Sequence, residues 1–524
     1  VITPGWLARA VFYQIYPQSF YDSNGDGIGD LAGIETKLDY LADLGVNALW
    51  INPCFVSPFK DAGYDVADFC RIAPRYGTNE SFKALLAAAH ARDIRVCLDL
   101  VAGHTSDQHP WFIASQQAQR SEFSDRYVWT NNPWVTRDEE LNFISGNAER
   151  AGSYATNFFS HQPALNYGFG AITRSYQQQV DAPGPRATRA ALKAVMKFWL
   201  DLGVDGFRVD LAASLVKRDP QAFAIRRLWR EMRDWLDTNY TERVLIAEWG
   251  NPELAIDAGF HVDFMFHVGV PGYDALLLGP QSFPKRREPS YFDSRGAGDF
   301  QRFWASFDFQ RERVAGRGLI SLPSSNHDFC RPRHQRDYDD LKVLYTFLLT
   351  WPHLPVLYYG DEIGMRYVEG TPNKESGYER TGSRTPMQWD ASPLCGFSTN
   401  AAATPYLPVD PNADRPTVAA QRADRESLWH HIERLIYLRV TESDLAPDTA
   451  LSILTETSPG YPLVYRRGNT LVIAINPGSG THTVRLPPLG DAATVLAHRC
   501  QVTHGAGAWQ LRVGPRGYGV FTVR

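Results

Sequence analysis

The feature that most limits how this chain can fold is a recurrence. From the N-terminus to about residue 365, short apolar runs that end in polar residues alternate with amphipathic stretches of helical period. The short runs read as buried strands, and the stretches between them carry an apolar stripe, as one helix face does. Strands are expected at residues 12–20, 48–53, 95–101, 206–210, 244–248, 261–266, 319–324 and 355–360, with helices that include 31–44, 79–92, 188–202, 220–238 and 338–351. Eight parallel strands with crossover helices predict an α/β fold, a (β/α)8 TIM barrel.

Two segments break the alternation. Residues 105–173, rich in Asn, Gln and aromatic side chains, are too long for a strand–helix loop and predict an inserted subdomain after strand 3, over the barrel mouth. A Gly/Pro/Thr-rich segment, 365–416, follows the eighth strand and is expected to cover the same face. Beyond residue 441, short alternating stretches at 461–466, 471–476, 481–486 and 518–523 predict a C-terminal antiparallel β-sandwich domain. The expected division is therefore a barrel formed by 1–104 and 174–440, a subdomain at 105–173, and a β domain at 441–524.

Composition narrows the partners. The 524 residues are 44% hydrophobic, enough for a large core, and the net charge of −5 lacks the basic footprint of a nucleic-acid binder. No apolar run approaches the roughly 18 residues of a membrane span. A small polar molecule fits better, and no oligomeric state is readable. Cys54, Cys70, Cys97, Cys330, Cys395 and Cys500 are scattered and form no CxxC, which indicates neither a zinc site nor a disulfide framework. Reduced thiols, with no basic-then-apolar leader in residues 1–6, predict a cytoplasmic protein. A cleaved secretory signal stays open because the chain does not begin with Met.

Barrel active sites lie at the C-terminal ends of the strands. The fourth strand ends Gly206-Phe207-Arg208-Val209-Asp210, where the two-residue repeat puts Arg208 and Asp210 on one face, so that the arginine is expected to keep the aspartate ionised. The fifth ends Ile246-Ala247-Glu248-Trp249, an apolar setting that raises a carboxyl pKa, and the seventh ends Asn326-His327-Asp328. An ionised carboxylate and a protonated one are the two parts that cleave a glycosidic bond with retention, at a separation of about 5–5.5 Å. The third carboxylate would bind sugar hydroxyls. One such residue is readily a structural ion-pair partner; three on one rim point to chemistry.

With these residues in view, the chain resembles the α-amylase superfamily, glycoside hydrolase family 13, in its α-glucosidase or oligo-1,6-glucosidase-like branch. The match is carried by residues 10–17 (AVFYQIYP), 99–104, 206–210, 247–248, 326–328 and 383–390 (SRTPMQWD). The resemblance implies Asp210 as nucleophile, Glu248 as general acid/base and Asp328 as transition-state stabiliser, with His104, Arg208 and His327 around the terminal glucose. It implies that Asp61 hydrogen-bonds that sugar, that Tyr64 stacks on it, and that Arg384 pairs with Asp61 and closes the pocket, which means exo attack. A non-hydrolytic relative using the same glucosyl-enzyme, a transglucosidase or an isomerase resembling trehalose synthase, stays open. A non-catalytic relative acting as a binding subunit is disfavoured by the retained carboxylates.

Oxygen-bearing side chains at alternate positions in Asp22-Ser23-Asn24-Gly25-Asp26-Gly27-Ile28-Gly29-Asp30 form a calcium-loop pattern. The resemblance implies a structural Ca2+ or Mg2+ held by Asp22, Asn24, Asp26, the Ile28 carbonyl and Asp30, with no catalytic cofactor; an Asx/Gly turn without metal is the alternative. The chain departs from the family at Gly103, where amylases have Asn, and at Ala164, where Asp is usual. Leu211, after the expected nucleophile, leaves linkage preference unreadable.

Overall fold

The computed structural model describes residues 3–138, 140–505 and 508–523. Eight parallel strands close a barrel in sequence order: β1 Phe12–Ile15, β2 Ala48–Ile51, β3 Arg95–Leu100, β4 Gly206–Val209, β5 Val244–Ala247, β6 Val262–Phe264, β7 Leu319–Pro323 and β8 Leu354–Tyr358. Phe12 of β1 registers with both Ala48 of β2 and Val356 of β8, which closes the ring. The strands are buried on both faces, which is why they read as apolar runs rather than as alternation.

Several of the outer helices start where short polar side chains satisfy free N–H groups. Thr78 and Ser81 form a capping box on helix Asn79–His90, and Asp337 and Asp340 form one on helix Tyr338–Thr350. The expected helix at 31–44 is two, Leu31–Thr36 and Leu38–Leu44, broken at Lys37.

Between β3 and helix Pro183–Leu202 the insertion folds around its own small core of Val128, Leu141, Phe143, Ala155, Ala164 and Phe169. Ala164, where the family usually has Asp, is fully buried there. The C-terminal region is a six-stranded antiparallel sheet of β9 Leu451–Ile453, β10 Leu463–Arg467, β11 Leu471–Asn476, β12 His482–Leu486, β13 Ala492–Gly505 and β14 Ala508–Val523. One part of β14 pairs with β12 and another with β11, and β13 runs along both. The sheet encloses a second core that includes Trp509, Leu511 and Phe521. Its β10 packs on the barrel through Tyr465, whose ring lies 5.0 Å from that of Trp351. Among the described residues no helix is long and apolar enough to cross a membrane.

One buried acid yields a stability prediction. Glu362, just after β8, accepts hydrogen bonds on Oε1 from Tyr13 (2.8 Å) and Tyr40 (2.6 Å), while Oε2 has no partner. Burial pushes its carboxyl up to about 7 despite the two tyrosine hydrogen bonds. Below the unfolded-state value both states hold the proton. As pH rises towards the folded-state value only the unfolded chain releases it, so folding loses about 3 kcal/mol across that interval. Glu362→Gln lacks this loss. Its melting temperature relative to the native chain is expected to rise by a few degrees between pH 4.5 and 7.5, measured calorimetrically; a pH-independent difference contradicts the account.

Candidate active site

The strand ends supply the floor of the site. Arg208 on β4 is 2% exposed and holds three carboxylates. Its Nη1 donates to Asp99 Oδ1 (2.6 Å) and Asp210 Oδ1 (3.0 Å), and its Nη2 pairs with Glu248 Oε1 (2.6 Å). Leu211 takes a left-handed conformation (φ 44°, ψ 45°), unusual for a branched residue, and its N–H donates to Glu248 Oε2 (2.9 Å). Asp210 and Glu248, at the ends of adjacent strands, are thus tied to one guanidinium.

This corrects one expectation. Arg208 does not serve Asp210 alone: its one positive charge is shared among three buried carboxyls. Burial, and next the Glu248 charge, push the Asp210 carboxyl well above the usual carboxylate range, and burial raises Glu248 as well despite Arg208. The two carboxyls titrate as an interacting pair, each raised by burial, with Asp210 raised further by the charge of Glu248.

Asp328 is the opposite case. Its Oδ1 accepts from Arg380 Nη1 (2.9 Å) and Arg384 Nη2 (3.1 Å), and its Oδ2 lies 3.4 Å from His327 Nε2. Burial alone would raise its carboxyl, but His327, Arg380 and Arg384 outweigh that and hold it well below the usual range.

The expected closure of the pocket is also corrected. Arg380, not Arg384, reaches Asp61, with Nη2 3.3 Å from Oδ1. Arg384 lies one turn further along, beyond the short helix Tyr378–Ser383, and is 1% exposed; it bonds the His327 carbonyl (2.8 Å) and Asp328 from behind. Asp61 also accepts from Gln162 of the insertion (2.8 Å), and burial lifts its carboxyl to about 6 against the pull of Arg380 and Gln162.

The aromatic and imidazole groups form one hydrogen-bonded chain. Gln14 Nε2 lies 3.0 Å from His327 Nδ1, His327 Nε2 lies 2.9 Å from the Tyr64 hydroxyl, and that hydroxyl lies 3.1 Å from Asp99 Oδ2. Gln14 donating to Nδ1 leaves the proton on Nε2, which donates to Tyr64, which in turn donates to Asp99. The Tyr64 and His327 rings stack at 5.4 Å. His104 Nε2 faces the Tyr64 carbonyl (3.0 Å) and its Nδ1 faces Asn157 Nδ2 (3.2 Å), so Nε2 carries the proton; burial lowers its pKa to about 3 and keeps it neutral. A Cβ at Gly103 would come within 2.7 Å of Asn157 Nδ2, so a larger residue there would displace the Asn157 side chain that faces His104.

Seven of the nine expected residues, Asp61, Tyr64, His104, Asp210, Glu248, His327 and Asp328, line one cavity of about 320 Å³. Arg208 and Arg384 do not line it; both act from behind its wall, through the carboxylates they hold. Sequence reasoning missed Arg380, Gln162, Asn52, Asp99 and Asp263. Asn52 Nδ2 donates to the Tyr64 hydroxyl (2.9 Å). Asp263 on β6 accepts N–H bonds from Trp249, Gly250 and Asn251 (3.0, 3.3 and 2.8 Å) and so fixes the chain directly after Glu248. The available signal for Asp99 and Asp263 was an acid within an apolar run, which on a doubly buried strand must find partners inside.

The loop 22–30 is held by hydrogen bonds within it and from Ser398. Asp22 accepts N–H bonds from Gly25 (2.7 Å) and Gly27 (2.7 Å) and a hydroxyl from Ser398 (2.6 Å), and Asp30 caps helix Leu31–Thr36 through the Gly33 N–H (2.6 Å). Asn24 and Asp26 are exposed. The all-oxygen donor chemistry suits a hard cation. Among the described residues, however, no three His, Cys, Asp or Glu side chains converge as a ready metal site.

A parallel barrel with paired carboxyls, a separate ionised carboxylate and a polar blind wall at its C-terminal rim defines an enzyme that acts on glycosides. Comparison with known proteins specifies the class. Residues 14–448 match the model of the α-amylase catalytic domain, and the chain belongs to that family. It is 32% identical to the oligo-1,6-glucosidase of Parageobacillus thermoglucosidasius over 92% of both chains. It is 34% identical to a trehalose synthase/amylase of Mycolicibacterium smegmatis, over 85% of this chain and 78% of the relative. The trehalulose synthase of Pseudomonas mesoacidophila MX-45 superposes with a TM-score of 0.81 at 26% identity, over 99% of both chains.

Proposed function

We propose that the chain is a retaining, exo-acting α-glucosidase that releases terminal α-linked glucose from small α-glucosides. The observation that carries this reading is the Asp210–Glu248 pair, bridged by Arg208 and open to one cavity. In the productive state the shared proton sits on Glu248, where a glycosidic oxygen that accepts from it favours the neutral acid. Glu248 donates that proton as the C1–oxygen bond breaks, and Asp210 attacks C1 from the opposite face to give a β-glucosyl ester. Glu248 then removes a proton from water, which attacks C1, frees α-glucose and returns Asp210 to the carboxylate.

Asp328, kept ionised by its arginines, accepts hydroxyl hydrogen bonds from the bound glucose. His104 and His327 lie beside it, and Tyr64 offers a ring face. The Asp61–Arg380 wall closes the far side of that glucose, so attack is on chain ends. The cavity is near the lower end of the ligand-pocket range of about 300–1,000 Å³, a size suited to small glycosides.

Relatives that include synthases favour a second reading, in which another sugar takes the glucosyl group. Incubation with maltose, isomaltose, sucrose and trehalose, with every product identified, separates the two. Free glucose plus the co-product in equal amounts supports the hydrolase; a rearranged disaccharide as main product supports the isomerase.

The loop 22–30 is proposed to hold a structural Ca2+ or Mg2+ through Asp22, Asn24, Asp26, the Ile28 carbonyl and Asp30. The ion would supply no chemistry to glucose release, only stability. Since the loop is already hydrogen-bonded, the gain is expected to be modest, about 2.7 kcal/mol at a hundredfold excess over Kd. EDTA is expected to lower the melting temperature by a few degrees, and Ca2+ or Mg2+ to restore it; an unchanged melting temperature contradicts the site.

A further inference from the structure

We propose that the outer half of the catalytic cavity is an apolar subsite, and that the preferred leaving groups and acceptors are alkyl or aryl alcohols rather than sugars. The inference rests on the α-glucosidase reading and assigns the class of aglycone to the same site.

The cavity is divided by chemistry. Its floor carries the buried polar groups of Asp61, His104, Asp210 and His327. Its outer lining includes Phe158, Leu211, Val268, Phe283, Pro284 and Tyr378. These six offer one side-chain hydrogen-bonding group between them, the Tyr378 hydroxyl. The polar groups beside them are the half-buried His267 ring next to Val268 and the Arg380 guanidinium, which is already paired with Asp328 and Asp61. A second sugar placed there would leave most of its hydroxyls without side-chain partners, whereas an alkyl chain or aromatic ring would leave none.

Exposure makes the same point independently. Phe158, Val268 and Tyr378 are 51%, 51% and 43% exposed, among the chain's largest hydrophobic side chains left in water. They come from three separate segments, the insertion, the loop after β6 and the segment after β8, yet meet at one opening. Exposed apolar side chains that converge on a cavity mark a binding surface, in contrast to scattered ones. The surface is held in shape: Val270 N–H donates to the Gly250 carbonyl (2.7 Å), which ties the Val268 loop to the chain after Glu248, and the Phe283 and Tyr378 rings meet edge-on at 6.1 Å.

The test measures kcat/KM for glucose release from methyl, butyl and hexyl α-D-glucopyranoside and from maltose. The three alkanols are similarly acidic, so bond cleavage is equally demanding and the series reports contact with the outer lining. A fully buried methylene is worth roughly fourfold. The methyl-to-hexyl increase is expected to reach at least tenfold, with hexyl glucoside above maltose, and Phe158→Ser and Val268→Ser are each expected to reduce the hexyl-to-methyl ratio at least threefold. A flat series with glucose still released overturns the apolar subsite and leaves the α-glucosidase reading standing. A slope that neither variant changes overturns the assigned surface. Absence of glucose from all four substrates overturns the α-glucosidase reading and this inference with it.

Discussion

Asp210→Gly is expected to reduce turnover of unactivated α-glucosides by about 10⁴-fold or more, with the fold intact. The side chain is small and its neighbours Arg208, Asp99 and Glu248 keep one another, so the barrel has no cause to open. What is lost is the atom that bonds C1. The test that identifies a nucleophile uses α-glucosyl fluoride with azide. In the variant, azide entering the space of the missing carboxylate attacks C1 as fluoride leaves, and the product is β-glucosyl azide. Rescue to that anomer supports the proposed role of Asp210. Full activity in the variant, or rescue to the α-azide, contradicts it.

Glu248→Gln is expected to lower kcat/KM for maltose by about 10²–10⁴-fold and to leave cleavage of α-glucosyl fluoride far less affected, because fluoride departs without a proton. The amide oxygen keeps one of the two contacts, to Arg208 or to the Leu211 N–H, and its NH2 cannot accept the other; that loss is common to both substrates, so the difference between them reports proton donation. The pH profile carries the sign. Burial raises Glu248, and the native enzyme needs the Asp210–Glu248 pair to hold one proton. Activity therefore falls on the alkaline side as that proton leaves and on the acid side as a second one binds. In Glu248→Gln the alkaline fall with α-glucosyl fluoride is expected to vanish. Equal losses on both substrates, with the alkaline limb retained, contradict the assignment.

The barrel was legible because a parallel strand buried on both faces must be apolar until it ends, so Asp210, Glu248 and Asp328 stood out where the runs stopped. The C-terminal sheet was less so. β13 is nearly continuous from Ala492 to Gly505 but mixes Arg499 and Gln501 into its exposed positions, and β14 contains Gly-Pro at 514–515, which read as a break. A bent strand tolerates both.

Within the site, local pattern located groups on strand ends and failed for groups delivered by loops. Arg380 lies within the short helix 378–383 and Arg384 directly follows it, and nothing in the order of residues tells which reaches Asp61; tertiary placement decides. The same limit applied to Arg208. Its spacing from Asp210 was readable, but its additional bonds to Asp99 and Glu248 depend on the register between neighbouring strands, in which Arg208 lies opposite Asp99 and Ile246.

The central claim is that Asp210 and Glu248 act on one anomeric carbon in two successive displacements. The most direct measurement is the configuration of the glucose first released from methyl α-D-glucopyranoside, followed by proton NMR before mutarotation. The account predicts that the α-anomer appears first and the β-anomer grows in only as the solution equilibrates; β-glucose as the first product would mean a single displacement by water and would contradict it.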